Sequence, residues 1–159
     1  MRLPTPIVDF LFRQLGRVAS RQPDVLIGKE DDTYMRRWRV IPRNRWFNIY
    51  LHHFLRSDDD RALHDHPWWN VSILLWGRYT EHTIAAGGVN SRIEYAAGAM
   101  KFRGAKYAHR VELTDGPCWS LFITGPNIRE WGFHCPAGWR HWTEFVDSKN
   151  SGRIGKGWD

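Results

Sequence analysis

The stretch His64-Asp65-His66-Pro67-Trp68-Trp69-Asn70-Val71-Ser72-Ile73-Leu74-Leu75-Trp76-Gly77 decides how the rest of the chain is read. Two histidines stand two residues apart. They lead into a run rich in Val, Ile, Leu and Trp that stops at a glycine, as a buried strand stops at a turn. Strand side chains alternate between faces, so His64 and His66 are expected on one side. Two imidazoles on one side can ligate a single cation. An edge strand with hydrogen-bonded histidines has the same local pattern, so the reading turns on a third, distant histidine.

Outward from this stretch, short strand-like segments alternate with Gly/Pro turns. Upstream, Trp46 to Leu55 is strand-friendly throughout. Its more apolar alternate face, Phe47, Ile49, Leu51, His53 and Leu55, is expected to point inward, with His53 as an ordinary core histidine. Ser57-Asp58-Asp59-Asp60-Arg61 reads as a solvated turn, because the spaced oxygen ligands of a calcium loop are missing. Tyr34 to Ile41 is a candidate edge strand. Ile7, Val8, Leu11, Phe12, Leu15, Val18 and Ala19 recur at helical spacing. They predict a helix over about 6–19, with Thr5 as cap and Pro6 at the first position.

Downstream, Arg78 to Ile84 and Ser91 to Tyr95 pair across the turn at 85–90. Tyr107 to Leu113, Trp119 to Thr124 and Trp131 to Cys135 are further strands, and Trp139 to Val146 is strand or mixed. The tail over 147–159 is Gly/Ser-rich and expected to be mobile. Many short strands with regular turns imply an all-β sandwich or barrel in one domain over 1–159, with its core at about 46–146. No internal repeat or linker divides it.

Composition sets limits on function. The 159 residues include ten Trp and carry a net charge of +6. Of the 23 basic residues 18 are Arg, and guanidinium groups suit carboxylates and phosphates. Nucleic acid is an unlikely partner, since no Lys/Arg block or nucleic-acid motif occurs. No apolar run is long enough for a membrane span, and Asp9 and Arg13 interrupt the N-terminal apolar residues, unlike a signal peptide. Cys118 and Cys135 permit one disulfide, but a reduced, cytoplasmic setting is the simpler expectation.

The third histidine is His109, 43 residues after His66, in a strand that follows a glycine-bearing turn. The pair of motifs resembles the cupin superfamily. In the pattern G-x5-H-x-H-x3-E-x6-G, His64, His66 and Gly77 match, while Asp58 replaces the first glycine and Asn70 the glutamate. In G-x5-P-x-G-x2-H-x3-N, Gly98 and His109 match, while Gly104, Lys106 and Leu113 replace the proline, second glycine and asparagine. The resemblance covers about residues 46–125 and extends to small bacterial and phage cupin-like proteins.

The resemblance implies a double-stranded β-helix, or jelly roll, of roughly eight strands, with an N-terminal helix added. It implies a divalent metal held by His64, His66 and His109, with Asn70 at the fourth position as a weak neutral ligand. Fe(II) is the preferred ion, with Zn, Ni or Mn as alternatives. A three-histidine site leaves the ion's +2 charge uncompensated and so suits a small anionic substrate. Three-histidine cupins include dioxygenases.

Around this centre, Arg103, Arg78 and Arg110 are candidates to grip a substrate carboxylate, with Arg110 expected on the face opposite His109. Tyr107 is a candidate acid or hydrogen-bond donor, or else fills the barrel. Trp68 and Trp76 share parity with His66 and are expected to wall the cavity. Glu81 and His82 are expected on the strand surface. His134, Cys135 and His141 are read as structural, with Cys135 the one reactive-thiol candidate. The functional expectation is a metal-dependent oxygenase. The alternatives are a binding module for a sugar or small acid, and a basic interaction protein. A homodimer is plausible through the sheet edges and the helix.

Overall fold

A computed structural model describes residues 1–28, 32–58 and 62–145. Asp59, Asp60 and Arg61 of the expected acidic turn, and the expected mobile tail, lie outside the described residues. The chain begins with helix α1 (Thr5–Ala19). Its N-cap is Pro4 and no side chain caps it, so Thr5 does not play that part. Pro6 sits in the first turn, where a missing N–H costs nothing.

Twelve strands follow among the described residues: β1 (Val25–Gly28), β2 (Thr33–Arg39), β3 (Asn48–Phe54), β4 (Leu63–His64), β5 (Asn70–Trp76), β6 (Arg78–Ile84), β7 (Asn90–Ala96), β8 (Met100–Arg103), β9 (His109–Glu112), β10 (Cys118–Thr124), β11 (Gly132–Cys135) and β12 (Gly138–His141). One helical turn, α2 (Trp142–Phe145), comes after β12. The strands form two antiparallel six-stranded sheets, ordered β1-β2-β3-β10-β5-β8 and β12-β11-β4-β9-β6-β7. This is the expected jelly roll with more strands than eight, because β1, β11 and β12 extend its edges. Strand β1 was not foreseen.

Two differences from the sequence reading have clear causes. First, the organising stretch is two strands, not one. Strand β4 stops at His64 in the second sheet, and β5 begins at Asn70 in the first. Pro67 lies between them and cannot donate to a ladder. The chain turns a corner there, so parity does not carry from His66 to Trp76. Trp76 is 51% exposed and does not wall the cavity.

Second, the middle of the first sheet, β3, β10 and β5, is covered on both faces. Leu51, Ile73 and Leu75 pack outside the barrel against Val8 and Leu15 of α1, together with Trp38. The barrel side of β3 therefore carries Tyr50, His52 and Phe54, the face opposite to the one expected inward. His52 is 3% exposed and stacks on Phe122, with ring centroids 5.0 Å apart. His53 is on the helix side, stacked on Trp119 at 4.0 Å. Between the sheets, Leu74, Tyr79, Val111 and Cys118 form the barrel's own core. Cys118 and Cys135 form no disulfide, in keeping with the simpler expectation, and burial pushes the Cys118 thiol up to about 12.

Gly77 makes the β5–β6 turn with φ +83°, a conformation that suits glycine. A Cβ there would stand 2.8 Å from both Pro117 O and Cys118 Cβ, so the turn needs glycine for space as well.

Leu51 has no exposed surface and lies beneath α1. Leu51→Ala is expected to cost about 3 kcal/mol in urea unfolding. Phe102→Ala, at a side chain 68% exposed, should stay within about 0.5 kcal/mol of the parent.

Candidate metal centre

His64 in β4 lies directly opposite His109 in β9 across an antiparallel pair. His66 follows two residues later at the corner, where its N–H donates to Ala105 O at 3.1 Å. Asp65 points the other way. It is 1% exposed and accepts from Gly132 N (2.9 Å), His134 Nε2 (3.1 Å) and Trp139 Nε1 (3.1 Å), and it pairs with Arg129 Nη1 (2.9 Å). This buried carboxylate fixes the backbone that carries both histidines.

The three imidazoles meet in the barrel. Ring centroids are 5.1 Å apart for His64–His66, 5.0 Å for His64–His109 and 5.2 Å for His66–His109. One ring nitrogen from each lies within 4.8 Å of the others. Nε2 of His66 and Nε2 of His109 are 3.0 Å apart. Two nitrogens each about 2.1 Å from one ion stand about 3.0 Å apart when their bonds are at right angles. The residues present therefore fit a divalent ion.

Aromatic rings enclose the cluster. Trp68 stacks on His66 at 6.1 Å, Phe122 lies 6.2 Å from His66, Phe133 5.9 Å from His64, and Tyr107 5.9 Å from His109. Burial, then the neighbouring imidazoles and the Arg103 and Arg37 guanidiniums, hold His66 well below its ordinary value. Burial pushes His109 down to about 4, although Glu81 pulls the other way. Both are neutral near pH 7, the form that ligates a metal.

Glu81 is not on the strand surface as expected. It is 1% exposed and faces the interior from β6. Its Oε2 is 3.3 Å from His109 Nδ1, an ion-pair distance without hydrogen-bond alignment. Arg103 Nε donates to it at 3.0 Å and Tyr107 OH at 2.9 Å, and Arg103 Nη2 and Lys101 Nζ also bind it. Burial opposes ionisation, but His109, Arg103 and Lys101 outweigh it and hold the carboxyl well below the usual range. The strand offered one clue: Glu81 shares parity with Tyr79, which is also buried.

The structure thus brings Arg103 and Tyr107 together on Glu81. Arg103, 2% exposed, also reaches Tyr79 OH (3.2 Å) and Asn70 Oδ1 (3.3 Å). Asn70 has no exposed surface, and its amide oxygen is engaged by Arg103. Arg78 is on the surface beside Glu94 and Asp115. Arg110 faces away from His109, beside His82 and Glu112. His82 is buried on that outer face, 2.5 Å from Glu112 Oε2. His134 binds Asp65, and His141 binds Glu130 and Thr143. Two residues missed from the sequence are Arg129 and Arg37, whose Nε donates to His52 Nε2 at 2.9 Å.

No protein-family model and no curated protein matches the chain. Solved structures do. A structure of Bacillus subtilis oxalate decarboxylase, from a study of its Mn(II) centres, superposes with a TM-score of 0.53 at 18% identity, covering 74% of this chain and 31% of that one. Another, from a study of that enzyme's substrate binding mode, gives 0.52 at 17% identity with the same coverage. The chain thus spans about 31% of the length of these neighbours. At this identity the likeness speaks to architecture. In its two sheets, and in the histidine cluster held between them, this chain has the cupin fold.

Proposed function

We propose that the chain is a metal-dependent cupin enzyme in which His64, His66 and His109 hold one divalent ion, and which acts on a small anionic substrate within the barrel. The observation that carries this reading is the convergence of three imidazoles, two of them kept neutral by burial, in an aromatic-walled interior. A bound ion supplies Lewis acidity there, and iron adds redox chemistry, which makes an Fe(II) oxygenase the preferred form; Zn, Ni and Mn remain alternatives.

The chain's own residues divide the remaining work. Glu81 orients His109 through its far nitrogen, as carboxylates behind metal-binding histidines do. Lys101 and Arg103 give the interior two cations against the one carboxylate of Glu81, a field that draws anions. Tyr107 holds its hydroxyl proton against Glu81. The aromatic walls limit water around the imidazoles. One observation favours a second reading, a binding module without turnover. Arg103 and Tyr107, the side chains expected to act on a substrate, are already engaged by Glu81. Oxygen uptake with small carboxylates separates the two readings.

Elemental analysis of protein purified without added metal should find about one divalent ion per chain. His64→Ala, His66→Ala and His109→Ala should each remove it, and Glu81→Gln should weaken binding about 10–100-fold. Full metal content in His64→Ala would refute the site. Asn70→Ala tests the fourth position: retained metal leaves Asn70 as an acceptor for Arg103 rather than a ligand.

Acid should weaken the metal-free protein early. The unfolded chain takes up histidine protons below about pH 6.5, whereas folded His109 resists protonation until about 4. Stability therefore falls as pH drops through that window, by on the order of 2 kcal/mol at pH 5 from His109 alone. Glu81 adds a further loss below about pH 4.5, since its folded-state value is lower still. Urea melts at pH 7, 6 and 5 measure this. Equal midpoints at all three would contradict it.

A further inference from the structure

A second feature of the barrel lies outside the histidine cluster. A pocket of about 560 Å3 opens against β2, β3 and the loop between them, and Arg37, Arg39, Arg43, Arg45, Tyr50 and Trp68 contribute to its wall. No Asp or Glu among the described residues lines it. Arg39 has Asp24 behind it, at 3.8 Å. Arg37 donates to His52 and lies over Tyr50 at 5.2 Å. Arg45 lies over Trp46 at 4.5 Å. Neither Arg43 nor Arg45 pairs with a carboxylate among the described residues. Four like charges around one pocket repel one another, and an anion relieves that repulsion.

The loop carrying two of these arginines is built rather than slack. Asn44 stands between Arg43 and Arg45. Its Oδ1 accepts from Trp46 N (3.0 Å) and Phe47 N (3.1 Å). Asn48 Oδ1 accepts from Asn44 N at 3.0 Å, and Asn48 Nδ2 donates to Asn44 O at 3.0 Å. These bonds fix the backbone that carries Arg43 and Arg45 at the edge of the pocket. A guanidinium fork matches a pair of anionic oxygens. A monocarboxylate offers one such pair. A phosphoryl group offers three oxygens and nearly two charges, and so engages several forks at once.

The pocket also adjoins the histidines. Trp68 lines it with one part of its surface and stacks on His66 with another. Arg37, His52 and Phe122 form a second contact chain from the pocket to His66.

We propose that the Arg37–Arg39–Arg43–Arg45 pocket anchors the phosphoryl group of a small phosphorylated substrate, whose remainder reaches past Trp68 toward the histidine cluster. This deepens the metal-enzyme reading and rests on it for the second half. The phosphoryl-binding half stands by itself, and its test is arranged to show this.

The test is calorimetric titration of phenyl phosphate and inorganic phosphate, with succinate and acetate as carboxylate controls. It is run on protein as purified and on chelator-treated protein. Phosphate probes should bind in both forms, and more tightly than either carboxylate. The double variant Arg43→Ala/Arg45→Ala should lose at least tenfold in affinity for phenyl phosphate with its metal content unchanged. Both side chains are exposed, so the fold should persist, and a thermal melt checks it. Arg43→Lys/Arg45→Lys keeps the charge without the fork and should recover only part of the loss. Arg92→Ala, on the other sheet, should stay within twofold of the parent. Unchanged affinity in the double alanine variant, or succinate binding as tightly as phosphate, would overturn the proposal. Absence of metal with intact phosphate binding would overturn the metal reading and leave the pocket standing.

Discussion

Inside the barrel the structure turns on one buried charge. Glu81 is ionised where the two sheets leave it almost no water. A lone carboxylate in such a place is very unfavourable, and removing one partner of a buried pair costs about 3–5 kcal/mol. Three neighbours bind it, Arg103, Lys101 and the Tyr107 hydroxyl, and His109 Nδ1 stands 3.3 Å away. These contacts fix the polar side of the interior and tie β6 to β8, which lies in the opposite sheet. His109 turns one nitrogen toward this carboxylate and the other toward His66.

The cupin pattern places a glutamate where this chain has Asn70. A carboxylate nevertheless enters the same interior, from β6 instead of β5, and behind an imidazole instead of beside it. The chemical difference is considerable. A carboxylate bound directly to an ion cancels part of its charge. One placed behind a histidine raises that ligand's basicity and leaves the ion's own charge facing the cavity. Asn70 is drawn into the same arrangement, since its amide oxygen accepts from Arg103. Substitution at one position and recruitment at another are therefore linked through the guanidinium of Arg103.

The fold was legible in the sequence where turns were spelled out. Gly77, Gly98 and the Gly/Pro breaks mark strand ends that the structure keeps, and the helical spacing of Val8 and Leu15 points at the sheet they cover. Strand faces were not legible. When α1 covers one side of the first sheet and the barrel the other, both faces of β3 and β5 are apolar, and alternation no longer says which is inside. The histidine pair was found by an argument whose premise failed. His64 and His66 do not share a strand, yet a corner fixed by Asp65 brings their rings to within 5.1 Å. Glu81 was hidden for a third reason. Its burial is decided by cations on β8 and by Tyr107 before β9, contacts that no local window of sequence contains.

Electrostatics joins the inner centre to its mouth. Four arginines stand at the open pocket, and Lys101 and Arg103 lie deeper with only Glu81 to offset them. Basic side chains thus stand both at the surface pocket and beside the imidazoles. Charge interactions strengthen inward as the dielectric falls. On the proposed reading, an anion would place its charge among the arginines, where forks can meet it. The same charges act on the histidines themselves. Burial first, then the neighbouring imidazoles, and then Arg103 and Arg37 disfavour protonated His66, so the basic side chains add to what keeps this imidazole free of its proton and open to a metal.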